Sequence, residues 1–116
     1  MDLNVLTEYR QGVNILRIKT PLLLDPNMAE AMTQALLSAF DAGDQKVLVD
    51  AACVQRMSSL FFRSFIIAGK KAKTKNATLA FCNIAPAIQE GFVMMGLDKY
   101  FALYPKESVA LDALKK

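Results

Sequence analysis

The sequence contains no histidine and only two cysteines among its 116 residues. Without histidine, His-based triads, His general bases and His metal sites are excluded. Cys53 and Cys82 lie 29 residues apart, with no CxxC pair and no histidine to complete a zinc set, so no metal is expected. Both cysteines have apolar neighbours (Ala51-Ala52-Cys53-Val54 and Leu79-Ala80-Phe81-Cys82), and both are read as buried free thiols, which suits a reducing compartment. No Gly-rich phosphate loop occurs, so nucleotide binding has little support. Only carboxylates, lysines and hydroxyls remain for catalysis, and the expectation is a protein that is not an enzyme and needs no cofactor. Long apolar runs are missing as well. The longest such segment, Leu60 to Gly69, is broken by Arg63 and Ser64 and falls short of the roughly 20 residues that a membrane span needs. Met1-Asp2-Leu3-Asn4 does not start a signal-peptide pattern. A soluble, cytoplasmic protein without membrane insertion is expected.

What is present is core material and an uneven charge. Hydrophobic residues make up 53% of the chain and charged residues 22%, which suits one compact domain over residues 1–116. The net charge of +3 is not spread evenly. Residues 1–50 carry seven acids and four bases, residues 51–75 six bases and no acid, and residues 76–116 four of each. No aromatic side chain interleaves with the lysines of the basic stretch and no helix-turn-helix spacing appears, so nucleic acid is not the expected partner. An acidic protein surface fits better.

The residue pattern alternates between strands and helices. Leu3 to Tyr9 and Val13 to Lys19 read as a hairpin around Arg10-Gln11-Gly12. In its second strand Val13, Ile15 and Arg17 share one face, with Asn14, Leu16 and Ile18 on the other. Thr20-Pro21 ends that strand, because proline cannot donate to a ladder. Asp25 is a candidate N-cap with Pro26 at the first helical position, ahead of an apolar stripe from Met28 to Phe40 that Gly43 closes. Lys46–Asp50 follows as a central strand, then a helix from about Ser58 to Lys73, a strand over Thr78–Cys82, and a helix from Pro86 to about Met95. A strand over Tyr100–Tyr104 and a helix over Lys106–Leu114 complete the chain. The order is β-β-α-β-α-β-α-β-α: a single α/β domain with a mixed, mainly parallel sheet and helices packed on it.

The second helix carries the clearest candidate surface. At 100° per residue Phe61, Phe65, Ala68 and Ala72 form its core face, flanked by Phe62 and Ile66. Leu60 and Ile67 fall on another side, beside Arg63, Ser64, Lys70 and Lys71. An apolar pair among bases suits a protein-binding surface; the alternative is that a loop or a neighbouring helix covers the pair. The lysines at the helix end also suit the negative pole of its dipole. Ser58 has two readings as well. It caps the second helix, or it accepts a phosphate beside Arg56 and Arg63. Asp50, at the end of the central strand, and Asp25 are expected to share one shallow polar site with Ser58, although capping alone explains Asp25.

Four local patterns in sequence order resemble the STAS domain family, best known in bacterial anti-sigma factor antagonists. They are Val47-Leu48-Val49-Asp50, Val54-Gln55-Arg56-Met57-Ser58-Ser59-Leu60, Asn83-Ile84-Ala85-Pro86-Ala87-Ile88, and Met95-Gly96-Leu97-Asp98-Lys99-Tyr100-Phe101. The resemblance spans about residues 3–114. It implies a non-catalytic module that binds an anti-sigma factor or serine kinase, with Ser58 (second choice Ser59) as the phosphorylated residue. The expected partner surface comprises Arg56, Met57, Leu60, Arg63, Ser64, Ile67 and Lys71. Met57 and Leu60 stand where the family often has Asp and Gly around the serine pair. That departure favours the alternative reading, an unphosphorylated subunit of a lipid-transport ABC-type ATPase assembly or of a stress-signalling complex.

Overall fold

A computed structural model describes residues 2–115. Strands β1 (Val5–Arg10) and β2 (Val13–Ile18) form the expected hairpin. Its two-residue turn has Gln11 at φ 55° and Gly12 at φ 78°, the paired left-handed conformation that matches the twist of the flanking strands. Helix α1 (Pro26–Asp41) starts as its residues dictate. Asp25 Oδ1 accepts from the Asn27 N–H at 2.7 Å, and Pro26 fills a position whose N–H has no helical partner. Strand β4 (Lys46–Asp50), helix α2 (Ser59–Thr74), strand β6 (Thr78–Cys82), helix α3 (Pro86–Met94), strand β7 (Ala102–Tyr104) and helix α4 (Glu107–Leu114) complete the expected order. The main sheet runs β1-β2-β4-β6-β7, antiparallel in the hairpin and parallel elsewhere.

Two features differ from the expectation. The last strand is shorter than Tyr100–Tyr104, because the Phe101 N–H bonds the Leu97 carbonyl at 2.8 Å and holds that segment in a turn. A second, two-stranded parallel sheet also forms from β3 (Leu22–Leu23) and β5 (Arg56–Met57).

Strand alternation sorts the core into two layers. Leu16, Ile18, Val47, Val49, Leu79 and Phe81 face α1, α2 and α3. Phe81 packs edge-on against Phe65, Phe92 and Phe101, with ring centroids 4.8 to 5.2 Å apart. On the other side Val13, Ile15, Leu48, Ala80 and Cys82 meet Ala110, Leu111 and Leu114 of α4. The sheet therefore has a thick face carrying three helices and a thin face carrying one.

The cysteines divide. Cys82 is buried against α4, and burial, followed by the nearby Asp50 and Glu107 charges, pushes its thiol up to about 12. Cys53 is exposed, which corrects the expectation of two buried thiols. It lies in the turn after β4, where the buried contacts are made by Ala51 and Val54 on either side of it.

Candidate functional site

Helix α2 presents the face its periodicity implies. Phe61, Phe65, Ala68 and Ala72 are buried, as is Phe62, while Leu60 and Ile67 remain 40% and 39% exposed. Among the described residues no loop or helix closes over that pair. Leu60, Arg63 and Ile67 line one wall of an open groove of about 300 Å³, and Pro26, Glu30 and Thr33 of α1 line the other.

Ser64 does not belong to the exposed surface. It is 3% exposed, and its hydroxyl donates to the Ala29 carbonyl of α1 at 2.9 Å. Its place is the contact where α1 and α2 cross, since a small side chain lets two helix backbones approach and the hydroxyl finds a carbonyl there. Lys71 is also engaged within the chain, its Nζ lying 3.0 Å from Asp41 Oδ1. Arg56 and Arg63 are exposed, and Met57 is half-buried beside them.

Ser58 occupies the N-cap position of α2 with extended backbone (φ −77°, ψ 162°), yet its side chain makes no capping bond. Its Oγ is buried and has no hydrogen-bond partner. Ser59, the first helical residue, is exposed. Ser58 borders a cleft of about 470 Å³ shared with Leu24, Arg56, Met57, Phe62 and Gly91. Ser58 thus faces the edge of α3 as well as the start of α2.

Asp25 lies close to Ser58 in the fold, because the Ser58 N–H bonds the Leu23 carbonyl at 2.8 Å, two residues before the α1 cap. Asp50 does not join them, which overturns the expected three-residue polar site. It shares the thin face of the sheet with Leu48, and strand alternation turns it away from α2. There Asp50 Oδ2 accepts from Arg17 Nη1 at 2.8 Å, and Oδ1 accepts from the Ala52 N–H and from Asn83 Nδ2, each at 3.0 Å.

Arg17, on the same face of β2 as Val13 and Ile15, is the hub of that cluster. It also donates to Glu107 Oε1 at 2.5 Å and to Glu8 Oε1 at 3.0 and 3.1 Å, while Arg10 pairs with Glu8 and Glu107. Burial raises the Asp50 pKa, but the bonds from Asn83, Ala52 and Arg17 outweigh it and hold the carboxyl below its ordinary range. The bond from Arg17 likewise lowers Glu8, against some desolvation. The Arg17 guanidinium is raised, above all by its bond to Glu107. The only sequence signal for this clamp is an arginine in register with Val13 and Ile15, a charge where an apolar face continues.

No cluster of three or more His, Cys, Asp or Glu side chains able to hold a metal occurs among the described residues. No helix there is long and apolar enough to cross a membrane.

A five-stranded mixed sheet with three helices on one face and one on the other defines a single-domain α/β protein. The STAS domain model matches residues 4–110, nearly the whole chain, and the chain belongs to the STAS domain family. An anti-sigma factor antagonist from Mycobacterium paratuberculosis has a TM-score of 0.86 to it at 23% identity, over 98% of this chain and 95% of that one. A STAS domain protein from Planctomyces limnophilus gives 0.78 at 18% identity, over the full length of both. The phosphorylated form of the Bacillus cell fate determinant SpoIIAA gives 0.74 at 15% identity, over 96% and 99%. At these identities the likeness establishes the fold. No curated protein sequence matches the chain.

Proposed function

We propose that this chain is a non-catalytic regulatory module that binds an anti-sigma factor or serine kinase through the start of α2 and the turn before it. The observation that carries this reading is the exposed pair Leu60 and Ile67, which lines a groove with Arg63 on a helix whose other side is locked into the core. Apolar anchors with a base beside them on their own helix suit a partner with an acidic rim. Phosphorylation of Ser58 would turn the contact off. It would add about −1.5 to −2 charge at the edge of a surface whose own charge is positive. Membership of the STAS family, and a phosphorylated form of a protein with this fold, support the switch.

The second reading, constitutive binding to an ABC-type ATPase, is favoured by a different observation. The Ser58 hydroxyl is closed off, and the neighbouring Met57 and Leu60 give the turn an apolar character. Capture from a lysate of the native host, using the native chain and Leu60→Asp side by side, separates the readings. A serine kinase retained by the native chain and lost by Leu60→Asp supports the first, and an ATPase with the same behaviour supports the second. Equal retention by both chains removes α2 from the proposal. A phosphate found on the chain, and absent from Ser58→Ala, identifies the switch residue.

A further inference from the structure

Strand β1 lies at one edge of the main sheet, and among the described residues no strand pairs with its outer side. The hairpin decides which of its backbone groups face outward. The Lys19 N–H donates to the Asn4 carbonyl at 2.7 Å, and the turn closes on Arg10 and Val13. Alternation therefore turns the N–H and C=O groups of Leu6, Glu8 and Arg10 towards β2, and those of Val5, Thr7 and Tyr9 away from it. Those outward groups have no hydrogen-bond partner among the described residues.

Edge strands are ordinarily guarded by a lysine, a proline, a bulge or a short length. β1 has none of these. It runs for six residues in unbroken register with β2. Its two charges, Glu8 and Arg10, are held on the thin face by Arg17 and Glu107. The opposite edge of the sheet, β7, is only three residues long. What β1 exposes instead is Leu6 and Tyr9, and the Tyr9 hydroxyl is tethered to Asp44 Oδ2 at 2.9 Å.

We propose that β1 is a dimerisation edge whose occupant is β1 of a second copy, running antiparallel about a two-fold axis at Thr7. The strand's own residues select this register. Thr7 faces Thr7 of the second copy and Val5 faces Tyr9 on either side, so the outward groups of all three residues pair. A threonine pair and an aromatic opposite a β-branched residue are both favourable cross-strand neighbours. On the thin face Leu6 stands opposite Glu8 of the second copy, whose carboxylate its own Arg17 already holds. Moving the axis to Glu8 sets the two Glu8 residues directly opposite each other, with Cα atoms about 4.5 Å apart, a like-charge pair that opposes pairing. Moving it to Leu6 leaves Tyr9 opposite Leu3, outside the strand. A two-fold axis normal to the sheet keeps both thick faces on one side. The dimer therefore presents two α2 grooves together, a bivalent arrangement that strengthens binding to a partner that is itself paired. The inference goes beyond the reading of α2 and does not depend on what binds there.

The test follows the native chain by sedimentation velocity over a concentration series reaching the millimolar range, beside Thr7→Lys and Thr7→Val. Reducing conditions exclude a disulfide through the exposed Cys53. Thr7 is exposed, so both variants leave the core untouched. The expected result is a monomer–dimer equilibrium for the native chain and for Thr7→Val. Thr7→Lys should stay monomeric, because it brings two ammonium groups together at the axis. Amide hydrogen exchange locates the contact. Val5, Thr7 and Tyr9 should exchange about tenfold more slowly at high than at low concentration, with Leu6, Glu8 and Arg10 unchanged because β2 already binds them. A native chain that stays monomeric overturns the proposal. So does a dimer that Thr7→Lys leaves intact, protection gained at Ala102–Tyr104 instead of β1, or growth beyond a dimer.

Discussion

Arg17 is one side chain that holds four parts of the chain together. Its guanidinium joins β1 through Glu8, the end of β4 through Asp50 and the first turn of α4 through Glu107; Asp50 in turn holds Asn83, after β6. Removing it leaves the partly buried Asp50 carboxylate without its cation, which is unfavourable. Arg17→Met is therefore expected to lower the urea midpoint at pH 7. The pH dependence gives a sharper signature. Asp50 and Glu8 have folded pKa values below their ordinary ones, so their contribution is complete above the unfolded values, about 3.9 to 4.3. It is lost as the pH falls through the folded values. The native protein should lose stability steeply below about pH 4, and Arg17→Met should flatten that limb. Parallel limbs in urea titrations from pH 7 to 3 would mean that the clamp contributes no linked stability. Residue parity made half of this legible. Val47 and Val49 alternate with Leu48 and Asp50, so Asp50 had to lie on the opposite face from α2. Ser64 was legible in the same way, three residues after Phe61 and four before Ala68, on the flank of the core stripe.

At the scale of elements, the hydrophobic periods marked every helix and every strand of the main sheet, because each buries a long stripe. The β3–β5 bridge left no such trace. Two residues cannot show a period, and its existence depends on where the α1 and α2 entry turns meet in space. Close packing between elements was equally hidden. Gly69 on α2 lies where a Cβ would come 2.6 Å from the Phe101 ring and 2.9 Å from the Tyr100 ring. Two effects oppose each other in Gly69→Ala. Helix propensity favours alanine by about 1 kcal/mol, and overpacking costs about 1–3 kcal/mol. Phe101 is buried and packs edge-on against Phe81, so the ring cannot swing aside cheaply. The expected outcome is a net loss, seen as a lower thermal midpoint. A raised midpoint would show that the turn before β7 yields.

The whole molecule divides its tasks between the two faces of the sheet. The thin face carries the Arg17 clamp, while the thick face carries the basic helix, the serine turn and the β3–β5 bridge. The six bases of residues 51–75 do not act alike. Lys71 and Lys75 lie 3.0 and 3.9 Å from Asp41, and Lys73 sits 5.2 Å over the Tyr100 ring. Arg56, Arg63 and Lys70 make no ion pair among the described residues, and Arg63 lines the groove with Leu60 and Ile67. Free charges at a rim act over a distance of about 10 Å at ordinary salt, so their effect falls on encounter rather than on the completed complex. Arg63→Gln with Lys70→Gln should slow association with the captured partner about tenfold at low ionic strength. The difference should shrink as salt screens both proteins, and the dissociation rate should change little. Stopped-flow binding across a salt series reads both rates. A slower association that persists at high salt, or a faster dissociation, would place these bases in direct contact with the partner. Leu60 and Ile67 would then share the anchoring role with their basic neighbours, and the division between steering charges and apolar anchors would fail.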